Sequence, residues 1–514
     1  MRGSTFACVG LALLAVGSLG CAAVPDQGKR NLHESADGIE SDLELSSWKA
    51  TKVPGFEIYS NGAPEKVSLT LRRFEQFVAM VSRFVYGRRF PTEHPVEILL
   101  FRTNDQYERF APESAVGYAH PSGEHPSIAM TQDSRGIAAL AVLNHELVHI
   151  ILGSDARRSF PSWFNEGLAE FFSSTTIRDD VIRYGTFPKH RMSAIRGMRP
   201  FPLRSLLSSG KAGGHRYYGY AWLFVHYGFL SEQFGGVNRV EQFWRFVSLE
   251  SQGVPWRDAF ERAFDAPIEK IETEFVAHRK RVLQSALTPQ GNITIELDEV
   301  SYGFESVGRL VMAARLARHA ARNPAKTANL ADALFKLVLD DSPSDASALN
   351  GRIRMAAFLK EFQRAGKLWK QLLSVPKSAD AGERPLTRAL LVHAQYRALD
   401  GEERASTGAH LIREARSEYL EVLEIHPNWI TPLLELGDTY VLEESANPAP
   451  GIKYIDRALK RGSGLPPEAR LNLAKLMLRS GDPDGALPHL QIVVSAHRGS
   501  DSASEARSLL RRHY

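Results

Sequence analysis

The spacing of apolar residues changes several times along the chain, and each spacing predicts a kind of element. Short apolar or alternating runs predict strands at FEIYS (56–60), VEILLF (96–101) and SIAM (127–130). Apolar residues every three to four positions predict a helix that begins after Pro161 and helices over 66–86, 137–152, 216–233, 238–250, 255–264 and 267–285. The pattern therefore favours an α+β fold, a small mixed sheet with helices, for the first half of the chain.

The pattern breaks at residues 287–303, where proline, glycine and a strand-like ITIEL interrupt the helices, so we expect a linker there. Beyond it, helical patterns alternate with short turns up to the C-terminus. Two sets of residues resemble tetratricopeptide repeats: Leu433, Leu436, Gly437 and Tyr440, then Leu473, Ala474, Met477, Gly481, Ala486 and Leu490. The resemblance implies an α-helical repeat solenoid over 304–514, with possible protein partners, and an unrelated helical bundle is the alternative.

Composition narrows the functional classes only slightly. The 514 residues are 43% hydrophobic and 24% charged, with a formal net charge of +4. The charges are scattered and form no basic stripe, so nothing indicates a nucleic-acid partner. Both cysteines, Cys8 and Cys21, lie within the first 21 residues, so the rest of the chain can form no disulfide framework.

The N-terminus is typical of an export signal. Arg2 precedes an apolar run from Phe6 to Val16, and small residues follow. The ending Leu19-Gly20-Cys21 resembles a bacterial lipoprotein signal, which implies that Cys21 is lipidated; an ordinary cleaved signal peptide is the alternative. We expect a signal peptide over 1–21, a flexible tether over 22–50, and a lipid anchor in the outer membrane of the bacterial cell envelope as the only membrane contact.

The predicted helix over 137–152 contains His145-Glu146-Leu147-Val148-His149. Histidines four positions apart lie on one face of a helix, so both imidazoles can reach one metal ion. Glu146 is then placed to contact a metal-bound water. The alternative is a pair of core histidines bonded to neighbouring groups, since a five-residue match of this kind also arises by chance.

A second segment, PSWFNEGLAE (161–170), strengthens the metal prediction. Its helix places Glu166 and Glu170 one turn apart on the same face. Packed against the first helix, it could bring a carboxylate to the ion held by the two histidines. A set of three protein ligands leaves one position open for water, as catalytic zinc sites do.

HELVH and WFNEGLAE together resemble the gluzincins, the thermolysin-like zinc metallopeptidases. The resemblance covers about 55–285 and implies a thermolysin-like metallopeptidase domain over 51–286. It implies that His145, His149 and Glu166 bind Zn²⁺ and that Glu146 is the general base. It also implies that Glu170 orients a ligand histidine.

A third segment, HRYYGYAW (215–222), is similar to a helix that follows the third ligand in that family and carries an oxyanion-stabilising tyrosine. Its register points to Tyr218, with Tyr220 as second choice and simple aromatic packing as the alternative. His120 and His125 adjoin proline and glycine residues and are interpreted as surface residues.

These features predict an exported zinc metallopeptidase that hydrolyses a protein or peptide substrate, with Glu146 transferring the proton and a tyrosine stabilising the oxyanion. The alternative function is a lipoprotein scaffold that binds protein partners through its repeats and carries a vestigial peptidase domain. A zinc hydrolase that acts on sugars or cell wall is also compatible with the motif.

Overall fold

The computed structural model describes residues 36–87, 95–111, 117–120, 126–132, 137–153, 160–188, 191–197, 200–208, 214–252, 254–284, 291–297, 302–376, 383–461, 465–496 and 500–514. The predicted signal peptide with Cys21, residues 22–35 of the predicted tether, and His125 lie outside these ranges. Within them, no helix has both the length and the apolar character that crossing a membrane requires.

The strands form two sheets. The strands are β1 (Lys49–Val53), β2 (Phe56–Ser60), β3 (Val96–Phe101), β4 (Gly117–His120), β5 (Ser127–Thr131), β6 (Thr176–Arg178), β7 (Val181–Tyr184), β8 (Gly291–Thr294) and β9 (Glu305–Ser306). The larger sheet has the order β4-β5-β3-β2-β1-β9 and the smaller one β6-β7-β8. In the larger sheet β3 pairs in parallel with β2 and β5, whereas the outer pairs are antiparallel, so the sheet is mixed.

Most helices of the first half share an apolar core with one face of this larger sheet. The helices of this half are α1 (Ala36–Asp42), α2 (Pro64–Tyr86), α3 (Asn104–Glu108), α4 (Ile137–Gly153), α5 (Ser162–Ser173), α6 (Met192–Arg196), α7 (Leu203–Ser208), α8 (Gly214–Leu230), α9 (Val240–Ser251), α10 (Trp256–Phe264) and α11 (Ile268–Gln284). The helix predictions for this half are therefore close to the bounds observed.

The second half of the chain is a series of packed helices. They are α12 (Arg309–Ala320), α13 (Pro324–Asp341), α14 (Ala346–Phe358), α15 (Phe362–Leu373), α16 (Glu383–Ala398), α17 (Gly401–Glu403), α18 (Ala409–Ile425), α19 (Ile430–Leu442), α20 (Pro448–Arg461), α21 (Pro467–Arg479), α22 (Pro483–Ala496) and α23 (Asp501–His513). Apart from α17, consecutive helices pack on each other, and small apolar cores follow one another along the series. This arrangement is a helical repeat, in which each unit contacts mainly its neighbours.

The sequence of the central strand β3 is apolar without interruption, and its position in the sheet explains this. Ile98 and Leu100 belong to the core that contains α2, α4 and α5. Leu99 and Phe101 point to the other face and share a core with α12 and α13. Successive strand residues face opposite sides, and a strand covered on both sides is apolar throughout. The first repeat helices therefore complete the core of the sheet.

Several local features differ from the sequence-based expectations. The predicted linker 287–303 includes β8, which pairs with β7, and β9 follows directly and pairs with β1. The prediction that His120 is a surface residue is wrong: its side chain is 5% exposed at the end of β4. The ring of His319, on α12, lies 5.3 Å from it. A helix that is distant in sequence buries His120, so local turn residues could not reveal its burial.

Candidate metal centre

Three helices in contact, α4, α5 and α8, build the candidate site. On α4, Leu143 and residues 147–152 are buried, and α5 is buried along nearly all of its residues. Gly167 permits the close approach of α8, because a Cβ at this position would lie 2.6 Å from the carbonyl oxygen of Ala221. The glycine in NEGLAE thus fixes how far α5 can sit from its neighbour, one residue after Glu166.

The side chains of His145, His149 and Glu166 converge on one point. The two Nε2 atoms are 3.1 Å apart. Oε2 of Glu166 lies 3.5 Å from Nε2 of His145 and 3.4 Å from Nε2 of His149. Among the described residues, these three form the single group of histidine, cysteine and acidic side chains whose donor atoms could share a metal ion.

The size of this triangle fits zinc. Ligand atoms at ~2.0–2.1 Å from a tetrahedral zinc ion are ~3.3–3.4 Å apart, and the three edges lie close to that value. Glu166 is 2% exposed and His149 7% exposed, whereas His145 is only partly buried. The arrangement could therefore supply three ligands to a metal ion, and His145 is the most exposed of the three.

Asn165 positions one of the two imidazoles. Its Oδ1 lies 2.8 Å from Nδ1 of His149 and accepts a hydrogen bond from it. This bond selects the tautomer that leaves the Nε2 lone pair of His149 directed at the triangle. Asn165 belongs to the segment WFNEGLAE, but the sequence alone predicts no role for it. Its position next to Glu166 on α5 is the signal that could have suggested one.

Glu170 lies beside the other imidazole and is 1% exposed. Its Oε1 is 3.7 Å from Nδ1 of His145, an electrostatic contact longer than a hydrogen bond. The same oxygen accepts hydrogen bonds from Nε of Arg191 at 3.0 Å and from Nη2 of Arg191. Arg191 is thus a further residue of the site. No sequence motif includes it, because it lies in the connection between β7 and α6.

The remaining predicted residues surround the three ligands. Glu146 is partly buried on α4, directly after His145. Burial raises the pKa of Tyr218 well above its ordinary value, and the charge of Glu166 raises it further, so the phenol is protonated and near the third ligand. The guanidinium of Arg191 lies 4.8 Å from the centre of the Tyr218 ring. Tyr220 is fully buried, with Phe201 and Phe275 as ring neighbours.

Comparison with known proteins finds similarity only in fold. No family model matches the chain, and no curated protein matches it. One similar solved structure is a thermophilic TPR protein of Thermus thermophilus, 22% identical, with a TM-score of 0.32 over 39% of this chain and 99% of that one. Another is PilF of Pseudomonas aeruginosa, 17% identical, with a TM-score of 0.30 over 39% of this chain and 82% of that one.

The assignment of this chain to the gluzincin family is therefore wrong: the comparisons return tetratricopeptide-repeat proteins and no peptidase. The motifs that suggested it lie between residues 145 and 170, on α4 and α5 alone. Two packed helices can bring three metal-binding side chains together in many folds, so such motifs do not define a family. A thermolysin-like domain is not shown, and the half that carries the motifs is a mixed sheet with helices.

Proposed function

We propose that this chain is a scaffold that binds a protein partner through its helical repeats. The observation that carries the proposal is the stack of helices α12–α23, in which consecutive helices pack around successive small cores. Stacked helix pairs create such surfaces for partner binding. The tetratricopeptide-like sequence pattern of α19, α21 and α22 agrees with this use of the fold.

One cavity in the stack offers a place to test partner binding. It measures about 450 Å³ and is lined by Phe362, Gln395, Ala398, Leu399 and Leu411, from α15, α16 and α18 and the turn after α16. Most of its lining is apolar with a single amide, a composition that suits an apolar side chain of a bound segment.

The test combines cross-linking with variants of the cavity. We expect a partner cross-linked to the wild-type chain to be lost with Leu411→Asp, or with the milder Gln395→Lys, because both place charge in the cavity. Glu421→Lys, at an exposed position of α18, should retain the partner. A partner retained by both cavity variants, with folding confirmed by circular dichroism, would contradict binding at this surface.

We propose a second function, metal-dependent hydrolysis, because the three donor atoms of His145, His149 and Glu166 form a triangle of zinc-binding size. The bond from His149 to Asn165 directs the Nε2 lone pair of His149 into this triangle. The three donor atoms are 3.1–3.5 Å apart, close to the separations that ligands of one zinc ion have. Zn²⁺ is therefore the cofactor that we propose for the site.

A zinc ion bound there would acidify water and polarise a substrate carbonyl. The carboxylate of Glu146 would accept the proton from the attacking water and transfer it to the leaving group. The hydroxyl of Tyr218 would donate to the developing oxyanion, since its pKa keeps it protonated. The proposed substrate is a protein or peptide in the bacterial cell envelope, and the proposed location includes a lipid anchor at Cys21.

The hydrolase proposal is tested by digestion of casein and a peptide library with the zinc-loaded chain. We expect cleavage, and Tyr218→Phe should slow turnover by up to ~10²–10³-fold while zinc stays bound. Cleavage of peptidoglycan fragments without cleavage of peptides would indicate a cell-wall hydrolase. A zinc-loaded chain that hydrolyses neither would leave the scaffold as the sole function.

A further inference from the structure

Helix α6 packs tightly against α8 beside Tyr218. A Cβ atom at Gly219 would lie 3.2 Å from Cβ of Ala194 and 3.2 Å from Cγ1 of Ile195, both on α6. Carbon atoms at optimal contact are ~3.5–4.0 Å apart, so a side chain at position 219 would push α6 away. Glycine at the position after Tyr218 therefore allows the two helices to approach as closely as they do.

An arginine of α11 fixes the other end of α6. Nε of Arg279 donates a hydrogen bond to the carbonyl oxygen of Ile195 at 2.9 Å, and its Nη2 donates one to that of Gly197 at 2.6 Å. The last carbonyl groups of a helix have no partner within the helix, so these bonds satisfy the end of α6. Arg279 is buried, which shields both bonds from water. The position of α6 beside Tyr218 is therefore fixed at both ends.

Arg191 directly precedes α6 and lies between two groups of the candidate site. It is 3% exposed, and its Nε donates to Oε1 of Glu170 at 3.0 Å. Its Cζ atom also lies over the ring of Tyr218, 4.8 Å from the centre of that ring. Oε1 of Glu170 is in turn 3.7 Å from Nδ1 of His145. A continuous series of contacts thus leads from a candidate metal ligand through Arg191 to Tyr218.

Tyr218 is more accessible than its neighbours, and the group that covers its ring is planar. Tyr218 is only partly buried, whereas Tyr217 and Tyr220 are fully buried. A guanidinium can bond a carboxylate along its edge while it lies over an aromatic ring, whereas a lysine ammonium supplies the charge without the plane. Neutralising Glu170 requires only the charge of Arg191, but holding the ring requires its plane.

We propose that Arg191 is a positioning residue for Tyr218, and that it holds the ring so that the hydroxyl is directed at a developing oxyanion. The ion pair with Glu170 fixes the guanidinium, and the guanidinium in turn fixes the ring. This inference rests on the proposed hydrolase function and adds to it a residue that acts through the oxyanion donor. Arg191 would contact no substrate, so its replacement should slow turnover without weakening substrate binding.

The test measures the kinetics of casein hydrolysis by the zinc-loaded Arg191→Lys chain. The charge beside Glu170 remains, but the plane over Tyr218 is lost. We expect kcat to fall by ~10–100-fold with KM near the wild-type value, because a misplacement of about 1 Å can cost ~10²-fold in rate. Zinc content should not change. The matched control is Arg257→Lys, at an exposed position of α10 where the guanidinium lies over the ring of Trp256, and it should keep the wild-type kcat.

A double substitution shows whether Arg191 acts through Tyr218. The Tyr218→Phe chain already lacks the hydroxyl, so adding Arg191→Lys to it should lower kcat by less than about twofold. A loss that stays at ~10-fold or more in the Tyr218→Phe chain would overturn the inference, because Arg191 would then act through Glu170 or another group. A loss of zinc in step with activity would also overturn it, since the effect would lie on the metal ligands.

Gly219→Ala is an independent variant that keeps every charge and decides the question if circular dichroism shows that Arg191→Lys does not fold. Its methyl group would displace α6, so kcat should fall with KM unchanged. Its control is Gly366→Ala in α15, where an added Cβ would meet no atom of the described neighbours within 4 Å. Wild-type kcat in the folded variants of both positions would overturn the inference alone. A zinc-loaded wild-type chain that cleaves no casein would instead contradict the hydrolase proposal itself.

Discussion

The metal centre and a cluster in the repeats contain the same residue types in different arrangements. In the repeats, His393 of α16 lies 3.3 Å from a carboxylate oxygen of Glu435 and 3.3 Å from one of Asp438, both on α19. Arg397 contacts the same two carboxylates, at 3.1 and 2.6 Å. A protein guanidinium therefore provides the positive charge of this cluster. In the metal centre, two imidazole nitrogens and one carboxylate oxygen face a common point at 3.1–3.5 Å.

The difference shows how a candidate metal site can be distinguished from a cluster that only packs. The repeat cluster joins neighbouring units, since Asn472 of α21 also donates to Asp438, at 2.7 Å. Its two carboxylates are paired with Arg397 and His393, so packing between neighbouring units accounts for the cluster. The candidate metal centre instead brings two imidazole nitrogens and one carboxylate oxygen to a single point, and Asn165 holds one imidazole from behind. That geometry suits a bound cation.

The largest effect that we expect is on hydrolysis in Glu146→Gln. The amide keeps the size of the side chain but cannot accept the proton, so the rate should fall by ~10²–10⁴-fold while zinc content stays near wild type. Peptide hydrolysis and zinc content are measured on the same preparation. Unchanged hydrolysis would exclude Glu146 as the base, and a loss of zinc would place it among the ligands.

Removal of the guanidinium from the repeat cluster should affect stability without affecting the metal. Arg397→Ala leaves Glu435 and Asp438 buried beside one histidine, so unfolding in urea should require ~3–5 kcal/mol less free energy. Arg511→Ala, at an exposed site, is the control. Zinc content should be the same in both variants. If Arg397→Ala lost zinc but unfolded like the wild type, the division into a structural and a metal-binding cluster would be wrong.

A smaller effect, on zinc affinity, is expected from removing the hydrogen bond that orients His149. Asn165→Ala removes the acceptor for Nδ1 of His149, so zinc affinity should fall by ~10–100-fold. Competition with a chromophoric chelator measures it. Asn165→Asp keeps an acceptor oxygen and should bind zinc nearly as well as wild type. Equal affinity in the alanine variant would mean that packing alone orients His149.

The smallest expected effect concerns pH and the contact between the sheet and the first repeat helix. Burial lowers the pKa of His120 to about 3, and Arg322 adds to this; burial lowers the pKa of His319 as well, helped by His120 and Arg322. In the unfolded chain a histidine has a pKa of ~6.5, so below this pH the unfolded chain binds protons that the two buried, neutral rings of the folded chain do not bind. The free energy of unfolding therefore falls as the pH drops from ~6.5 towards 3.

Each such histidine contributes at most ~1.4 kcal/mol per pH unit to this slope. His120→Asn should therefore flatten the dependence of unfolding free energy on pH between ~6 and ~4.5, measured by urea titration. Tyr118, Ser127 and Arg322 also face this pair and remain in the variant. A slope unchanged from wild type would show that His120 is accessible to protons in the folded chain.

The sequence was sufficient for those parts of the site that depend on short-range geometry. His145 and His149 lie on one face of α4, and the register of α5 determines which face of α5 carries Glu166. The convergence of the three side chains therefore follows from helical periodicity. Arg191 could not be predicted, because a loop places it beside Glu170. The cover of β3 by α12 and α13 is equally non-local. The motifs lie within residues 145–170, and so short a segment did not justify assigning about residues 55–285 to a family.

The most direct test of the metal centre is the zinc content of the purified chain, compared with that of His149→Ala, by inductively coupled plasma mass spectrometry after dialysis. X-ray absorption at the zinc edge identifies the ligands in the same samples. We predict one zinc per wild-type chain, bound by two imidazoles and one carboxylate at ~2.0–2.2 Å, and none in His149→Ala. A wild-type chain that retains no zinc, or one whose zinc survives His149→Ala, would contradict the account.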